Sequence, residues 1–155
     1  MEDIQFVNTR FNPDLTGFHD TAKSMAQQFG YSAELSLDRR LAQLLRLRVA
    51  QLNPCSYCLI LHNEVADSID IPRAVTAHLG SWRESDMFTP ADKAALAYCE
   101  ALTSYDISAF GPCHDQLILH FAEKQVAEIA AVVINMNVWT RLKLAQGAVP
   151  SVHSE

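Results

Sequence analysis

The sequence predicts an all-α, single-domain protein, and three observations carry that expectation. Alanine (20) and leucine (17) far outnumber valine (10) and isoleucine (8), so helix-favouring residues dominate strand-favouring ones. Only five glycines and six prolines interrupt the 155 residues. No segment alternates convincingly at period two, whereas helical periodicity runs through nearly everything between the two ends.

The elements follow in order along the chain. Residues 1–12 read as a loose end. Pro13 opens a first helix running to about Phe29, where Gly30 stops it. Leu41, Leu44, Leu45, Val49 and Leu52 fall at helical spacing and mark a second helix over about Leu37 to Leu52. Asn53-Pro54 reads as a cap followed by proline at the first helical position, opening a third helix through about Asp67. Pro72 starts a short helix ending near Leu79-Gly80. Thr89-Pro90-Ala91-Asp92 supplies a cap and an acidic first turn for a helix to about Ser104. Pro112 opens another short one, and Glu123 to Ala145 is the longest, apolar nearly all round in its middle. Gly147 and Pro150 then lead into a second loose end, residues 147–155. No repeat, low-complexity segment or charge block divides the chain.

Composition excludes several classes. A hydrophobic content of 49% is enough for one sizeable core, so residues 1–155 form one domain. Twelve Lys and Arg against 18 Asp and Glu leave a net charge of −6, which argues against nucleic acid and anionic membranes as partners. The longest apolar run, Ile129 to Ile134, is six residues, far short of the ~20 a spanning helix needs. Met1-Glu2-Asp3-Ile4 is acidic where a signal peptide is basic, so a cytoplasmic location is expected. Four cysteines are too few for a disulfide-stapled secreted scaffold. With neither G-x-G-x-x-G nor a P-loop present, no nucleotide cofactor is expected.

The chemistry concentrates in Asn53-Pro54-Cys55-Ser56-Tyr57-Cys58-Leu59-Ile60-Leu61-His62, a C-x-x-C-x-x-x-H arrangement. In a helix beginning at Pro54, ~100° per residue places Cys58 at about −60° and His62 at about −20° from Cys55, so all three share one face. Residues three apart suit a disulfide. The first helical turn favours a thiolate through its free N–H groups and the positive end of the dipole. Three readings compete: two cysteines packed as small hydrophobes beside a core histidine, a zinc site, and a redox dithiol in which one sulfur attacks and the other resolves. Zinc lacks its fourth ligand, because neither Cys99 nor Cys113 arrives in a second C-x-x-C. The dithiol reading, with no metal and no cofactor, is the working one.

The stretch from Leu44 to Cys58 followed by His62 resembles the core motif of the carboxymuconolactone decarboxylase-like superfamily, and more narrowly its AhpD-like alkylhydroperoxidase branch. Supporting stretches are Trp82, Phe88 to Tyr98, and Ile134 to Arg141, so the resemblance covers about residues 35–145. It implies an AhpD-like helical bundle forming a homo-oligomer, a trimer or hexamer. It also implies hydroperoxide reduction in which Cys58 attacks, Cys55 resolves and His62 relays the proton. An external dithiol, thioredoxin-like or lipoyl-bearing, then reduces the disulfide. A thiol–disulfide oxidoreductase, or a redox sensor or scaffold with little turnover, is the alternative.

Two departures stand out. The branch's relay glutamate, twelve residues before the first cysteine, is Gln43 here, and an amide cannot exchange a proton at neutral pH. Gln43 is therefore either a residual site member or an ordinary polar-face residue. Tyr57 replaces a histidine before the second cysteine. Glu34 and Glu64 are substitute carboxylates, Glu64 the weaker because it points away from the cysteines on the helical wheel. Asn135 and Asn137 are expected to find hydrogen bonds within the core or across an interface rather than to bind substrate. Trp82 and Trp139 are expected to pack or anchor an interface rather than contact a cofactor. Cys99 and Cys113 are expected to be buried or inert, and His19, His78, His114, His120 and His153 have no partner at ligand spacing.

Overall fold

The computed structural model describes residues 3–152; Met1, Glu2 and the last three residues, His153 among them, lie outside that range. Seven helices follow one another in these residues: α1 (Phe18–Phe29), α2 (Arg39–Leu52), α3 (Ser56–Ser68), α4 (Arg73–Ala77), α5 (Pro90–Ser104), α6 (Ile107–Leu117) and α7 (Glu123–Gln146). Short 3₁₀ turns cover Pro13–Leu15 and Leu79–Glu84.

The middle of the molecule is α2, which packs against α3, α5 and α7. Leu44, Leu45, Leu47 and Val49 are fully buried, and so are the polar Gln43 and Arg46. A helix enclosed on so many sides needs apolar residues well beyond one stripe, and the run Leu41 to Ala50 supplies them. Truncating one of these leucines to alanine costs about 2–5 kcal/mol.

Most boundaries agree with the sequence reading to within a residue or two. Asp38 caps α2 by accepting the Leu41 N–H, and Thr89 and Asp92 form a reciprocal capping box on α5. Trp82 is a packing anchor, as expected: it is buried, and its Nε1–H donates to Glu100 at 2.9 Å. Glu100 also pairs with Arg48 and Arg83.

Four expectations need correction. Pro13 opens a 3₁₀ turn, because Asn12 and Thr16 turn the chain by accepting the N–H groups of Asp14 and Phe18; α1 starts only at Phe18. Pro112 lies inside α6, which Asp106 has already started by accepting the Ala109 N–H. Asn53 does not cap α3. Its amide is drawn to Asn137 and Thr140 on α7, and Cys55 becomes the capping residue.

Last, the two ends are not loose. Residues β1 (Ile4–Asn8) and β2 (Ala148–Val152) pair antiparallel, with Phe6 opposite Pro150. Gly147 makes this possible at the end of α7: its φ of +65° is left-handed, and a Cβ there would sit 2.2 Å from Thr9 Oγ1. The strand pattern was too short and too exposed to be legible as alternation. The ribbon reaches the chemistry, since Phe6 meets the Tyr57 ring edge-on at 4.8 Å.

Candidate active site

The Cys55 backbone is extended (φ −120°, ψ 107°), and α3 begins one residue later. Its Sγ accepts the Cys58 N–H at 3.3 Å, doing for the helix what a serine or aspartate oxygen normally does. Cys55 and Cys58 are both free thiols and both buried. The Cys58 thiol, donating to Cys55, holds the Cys55 pKa below the ordinary thiol value against the opposing effect of burial; the capping N–H and the Lys143 ammonium add to the lowering. Cys58 is pushed the other way by that same hydrogen bond, by burial and by repulsion from its neighbour. The pair therefore behaves as one dithiol sharing a proton.

His62, one turn beyond Cys58, is 5% exposed. Burial, with Arg46 nearby, lowers its pKa to about 4, so the ring is neutral at pH 7. Gln43 joins it from α2, and the hydrogen bonds fix which way that amide faces. Arg46 only donates, so Gln43 Oε1 accepts from Nη1 at 3.2 Å. The amide nitrogen is thereby turned to His62, donating to the backbone carbonyl at 3.0 Å and meeting Nδ1 at 3.1 Å. Because an amide nitrogen is a donor, Nδ1 accepts and the ring proton sits on Nε2. A carboxylate at this position would draw the proton to Nδ1 and leave Nε2 basic.

Cys58 and His62 line one side of an open cleft of about 540 Å³ bounded by α1, α3, α7 and the turn after α1. Tyr31 from that turn approaches the His62 ring edge-on at 6.1 Å. Lys143 crosses from α7 with its ammonium 4.0 Å from the Tyr57 ring centre and 5.5 Å from that of Trp139. No group of three or more His, Cys, Asp or Glu side chains among the described residues is arranged to hold a metal ion.

The sequence-predicted residues Cys55, Cys58, His62 and Gln43 thus come together. Glu34 instead lines a separate cavity with Arg39 and Arg46. Asn137 satisfies its amide with Thr103, Asn53 and the Val133 carbonyl, as expected of a core amide. Trp139 and Asn135 line the cavity, and their Nε1 and Oδ1 atoms are buried without a hydrogen-bond partner. Cys99 is buried, its thiol pushed up to about 12 by desolvation. Sequence reasoning missed Lys143, Lys23, Tyr31 and the clamping role of Arg46. The signal for Lys143 was present: Asn135, Trp139 and Lys143 recur every four residues, a polar-tipped stripe on an otherwise apolar helix.

Fold and site together define a class: a small helical domain with a C-x-x-C pair at the start of an inner helix and a histidine one turn further on. The chain belongs to the carboxymuconolactone decarboxylase family, whose pattern matches residues 20–101, and so to the AhpD-like superfamily. It is 26% identical to the uncharacterized protein YdfG of Bacillus subtilis over 126 residues, 81% of this chain and 86% of that protein. A crystal structure from Agrobacterium tumefaciens, of a protein of unknown function proposed as the antioxidant defence protein AhpD, superposes with a TM-score of 0.82. It does so at 21% identity, covering 95% of this chain and 99% of that one. An uncharacterized peroxidase-related protein from Silicibacter sp. TM1040 superposes with a TM-score of 0.73 at 19% identity, over 85% and 69% of the two chains. These likenesses establish the AhpD-like fold. Among the described residues no helix is long and apolar enough to cross a membrane.

Proposed function

We propose that the protein is a thiol-dependent hydroperoxide reductase of the AhpD-like kind, working in the reducing cytoplasm. The observation that carries this reading is the shared cavity: Cys58 and His62 both line it, with Cys55 Sγ behind them accepting the Cys58 N–H at 3.3 Å. Transfer of the shared proton from Cys58 to Cys55 exposes a thiolate on the cavity side. Cys58 Sγ then attacks the terminal peroxide oxygen, the O–O bond breaks, and Cys58 becomes a sulfenic acid. The departing alkoxide takes a proton from His62 Nε2, which solvent restores. The Cys55 thiol next attacks the Cys58 sulfur; an S–S bond forms and the hydroxyl leaves as water with the Cys55 proton. In sum, hydroperoxide and dithiol become alcohol, water and disulfide.

An external dithiol protein, thioredoxin-like or lipoyl-bearing, returns the pair to its reduced state. The working form is a homo-oligomer, trimer or hexamer, for which exposed Leu119, Ile134 and Leu144 offer apolar surface. A second reading, thiol–disulfide exchange with little peroxide turnover, is favoured by one observation: an amide, not a carboxylate, faces His62 Nδ1.

Steady-state consumption of cumene hydroperoxide with excess dithiothreitol tests the proposal. Turnover by the wild type is expected to vanish in Cys58→Ser and to fall ~100-fold or more in His62→Ala, the usual scale for a lost acid–base group. A wild type that forms one Cys55–Cys58 disulfide per chain and then stops would overturn the peroxidase reading in favour of exchange.

A further inference from the structure

The cavity beside Cys58 is larger than a small peroxide requires and chemically uneven. Its volume of about 540 Å³ lies within the range of sites for drug-sized ligands. Tyr57, Leu61, Met136 and Trp139 supply apolar and aromatic wall. Against that wall stand two ammonium groups, Lys143 and Lys23. Neither makes an ion pair with a carboxylate among the described residues. Asp14, hydrogen-bonded to His19 at 2.7 Å, lies near enough to feel the charge of the exposed Lys23 but forms no ion pair with it.

Lys143 is only 8% exposed and rests on aromatic faces rather than on an anion. A cation held out of water without a counter-charge is costly unless something anionic joins it. The two sulfurs supply part of that charge from one side, while Lys23 repels from the other. Deeper in, Asn135, 1% exposed, has a buried Oδ1 with no hydrogen-bond partner, and the Trp139 Nε1–H is likewise unmet. Buried polar atoms are nearly always paired; these two orphans lie just beneath the cavity lining, one a donor and one an acceptor, and together match an O–H group, which accepts from the first and donates to the second.

Resting on the hydroperoxide-reductase reading, we propose that this cavity selects hydroperoxides built on an apolar, ring-sized body that carries a carboxylate. Lys23 and Lys143 take the carboxylate. Tyr57 and Trp139 take the ring. The Trp139 N–H donates to an oxygen of the hydroperoxide, and Asn135 Oδ1 accepts the O–H of the hydroperoxide and of the alcohol it becomes. An ammonium that attracts the substrate also sits beside the reacting sulfur, which couples binding of the acid to desolvation of the thiolate.

The test compares cumene hydroperoxide with its para-carboxylate, using dithiothreitol as reductant, in wild type, Lys23→Met and Lys143→Met. Calorimetry with the para-carboxylated alcohol product and with the uncharged alcohol runs alongside. The wild type is expected to favour the carboxylated peroxide about 10-fold or more in kcat/KM, with the preference shrinking as salt rises and in each lysine variant. The carboxylated alcohol is expected to bind more tightly than the uncharged one and to lose that advantage in Lys23→Met. Equal kcat/KM values for the two peroxides would overturn the selectivity and leave the reductase reading standing. No turnover of either peroxide would remove the reductase reading; the alcohol titrations then decide the ligand class alone, and equal binding of the two alcohols overturns it.

Discussion

The two sides of α3 handle ionisation in opposite ways. At its N-terminal end, Cys55 caps the helix, accepts the Cys58 N–H and has Lys143 nearby, so its negative charge is favoured. On the side facing α2, His62 lies between buried Gln43 and Arg46, and its positive charge is disfavoured. About two helix turns separate a group poised to ionise from a group clamped neutral. Burial is common to both sides; the difference is the sign of what surrounds them. A thiolate has donors and a cation, whereas an imidazolium would meet only a donor amide and another cation.

The largest effect that follows separates cysteines. Cys99 is as buried as Cys58 but has no capping role, and its thiol is pushed up to about 12. At pH 7, iodoacetamide is expected to label the Cys55–Cys58 pair about a thousandfold faster than Cys99, with the site read by mass spectrometry. Comparable labelling of Cys99 would mean that burial alone, not the helix terminus and Lys143, governs the thiols.

The clamped side is tested through stability. The His62 pKa falls from 6.5 to about 4 on folding, so between those values the unfolded chain binds a proton that the folded chain does not. The neutral-histidine contribution is complete above pH 6.5 and is lost as pH falls toward 4, by about 3 kcal/mol. Urea unfolding at pH 7.5 and pH 4.5 is expected to show a smaller loss in His62→Gln than in the wild type. Parallel losses in both proteins would place His62 in contact with solvent.

Much of this contrast was legible in the sequence, and the rest was hidden for physical reasons. Periodicity located α2, α3, α5 and α7 because each buries a patterned face, and C-x-x-C-x-x-x-H located the thiols and the histidine. Nothing local could reveal that Asn53 would turn to Asn137 and hand the cap to Cys55, since that contact joins residues 84 apart. The terminal ribbon escaped for the same reason: neither five-residue strand buries a full face, and each needs the other from the opposite end of the chain. Lys143 reaches the thiols only through the packing of α7 over α3. Gln43 was visible as a departure from the branch pattern, yet its effect depends on Arg46, which reads as a surface residue beside Arg48 until α2 is known to be enclosed.

The smallest effect is the most discriminating, because it converts one side of α3 toward the character of the other. In Gln43→Glu the carboxylate keeps Arg46 as a partner, now charged, and offers His62 Nδ1 an acceptor where the amide offered a donor. The proton is expected to move to Nδ1, and the imidazolium to gain an adjacent counter-charge. The His62 midpoint should rise from about 4 by roughly one to two units, partly offset by repulsion between the new carboxylate and the His62 carbonyl that Gln43 now contacts. Nitrogen-15 NMR of the ring reads both changes at once, since the protonated nitrogen and the midpoint appear in one titration. An unchanged tautomer and midpoint would mean that residue 43 does not control the ring. A raised midpoint with the proton on Nδ1 would mean that the amide keeps His62 a proton donor at Nε2, and that one atom at position 43 sets the direction in which the histidine passes its proton.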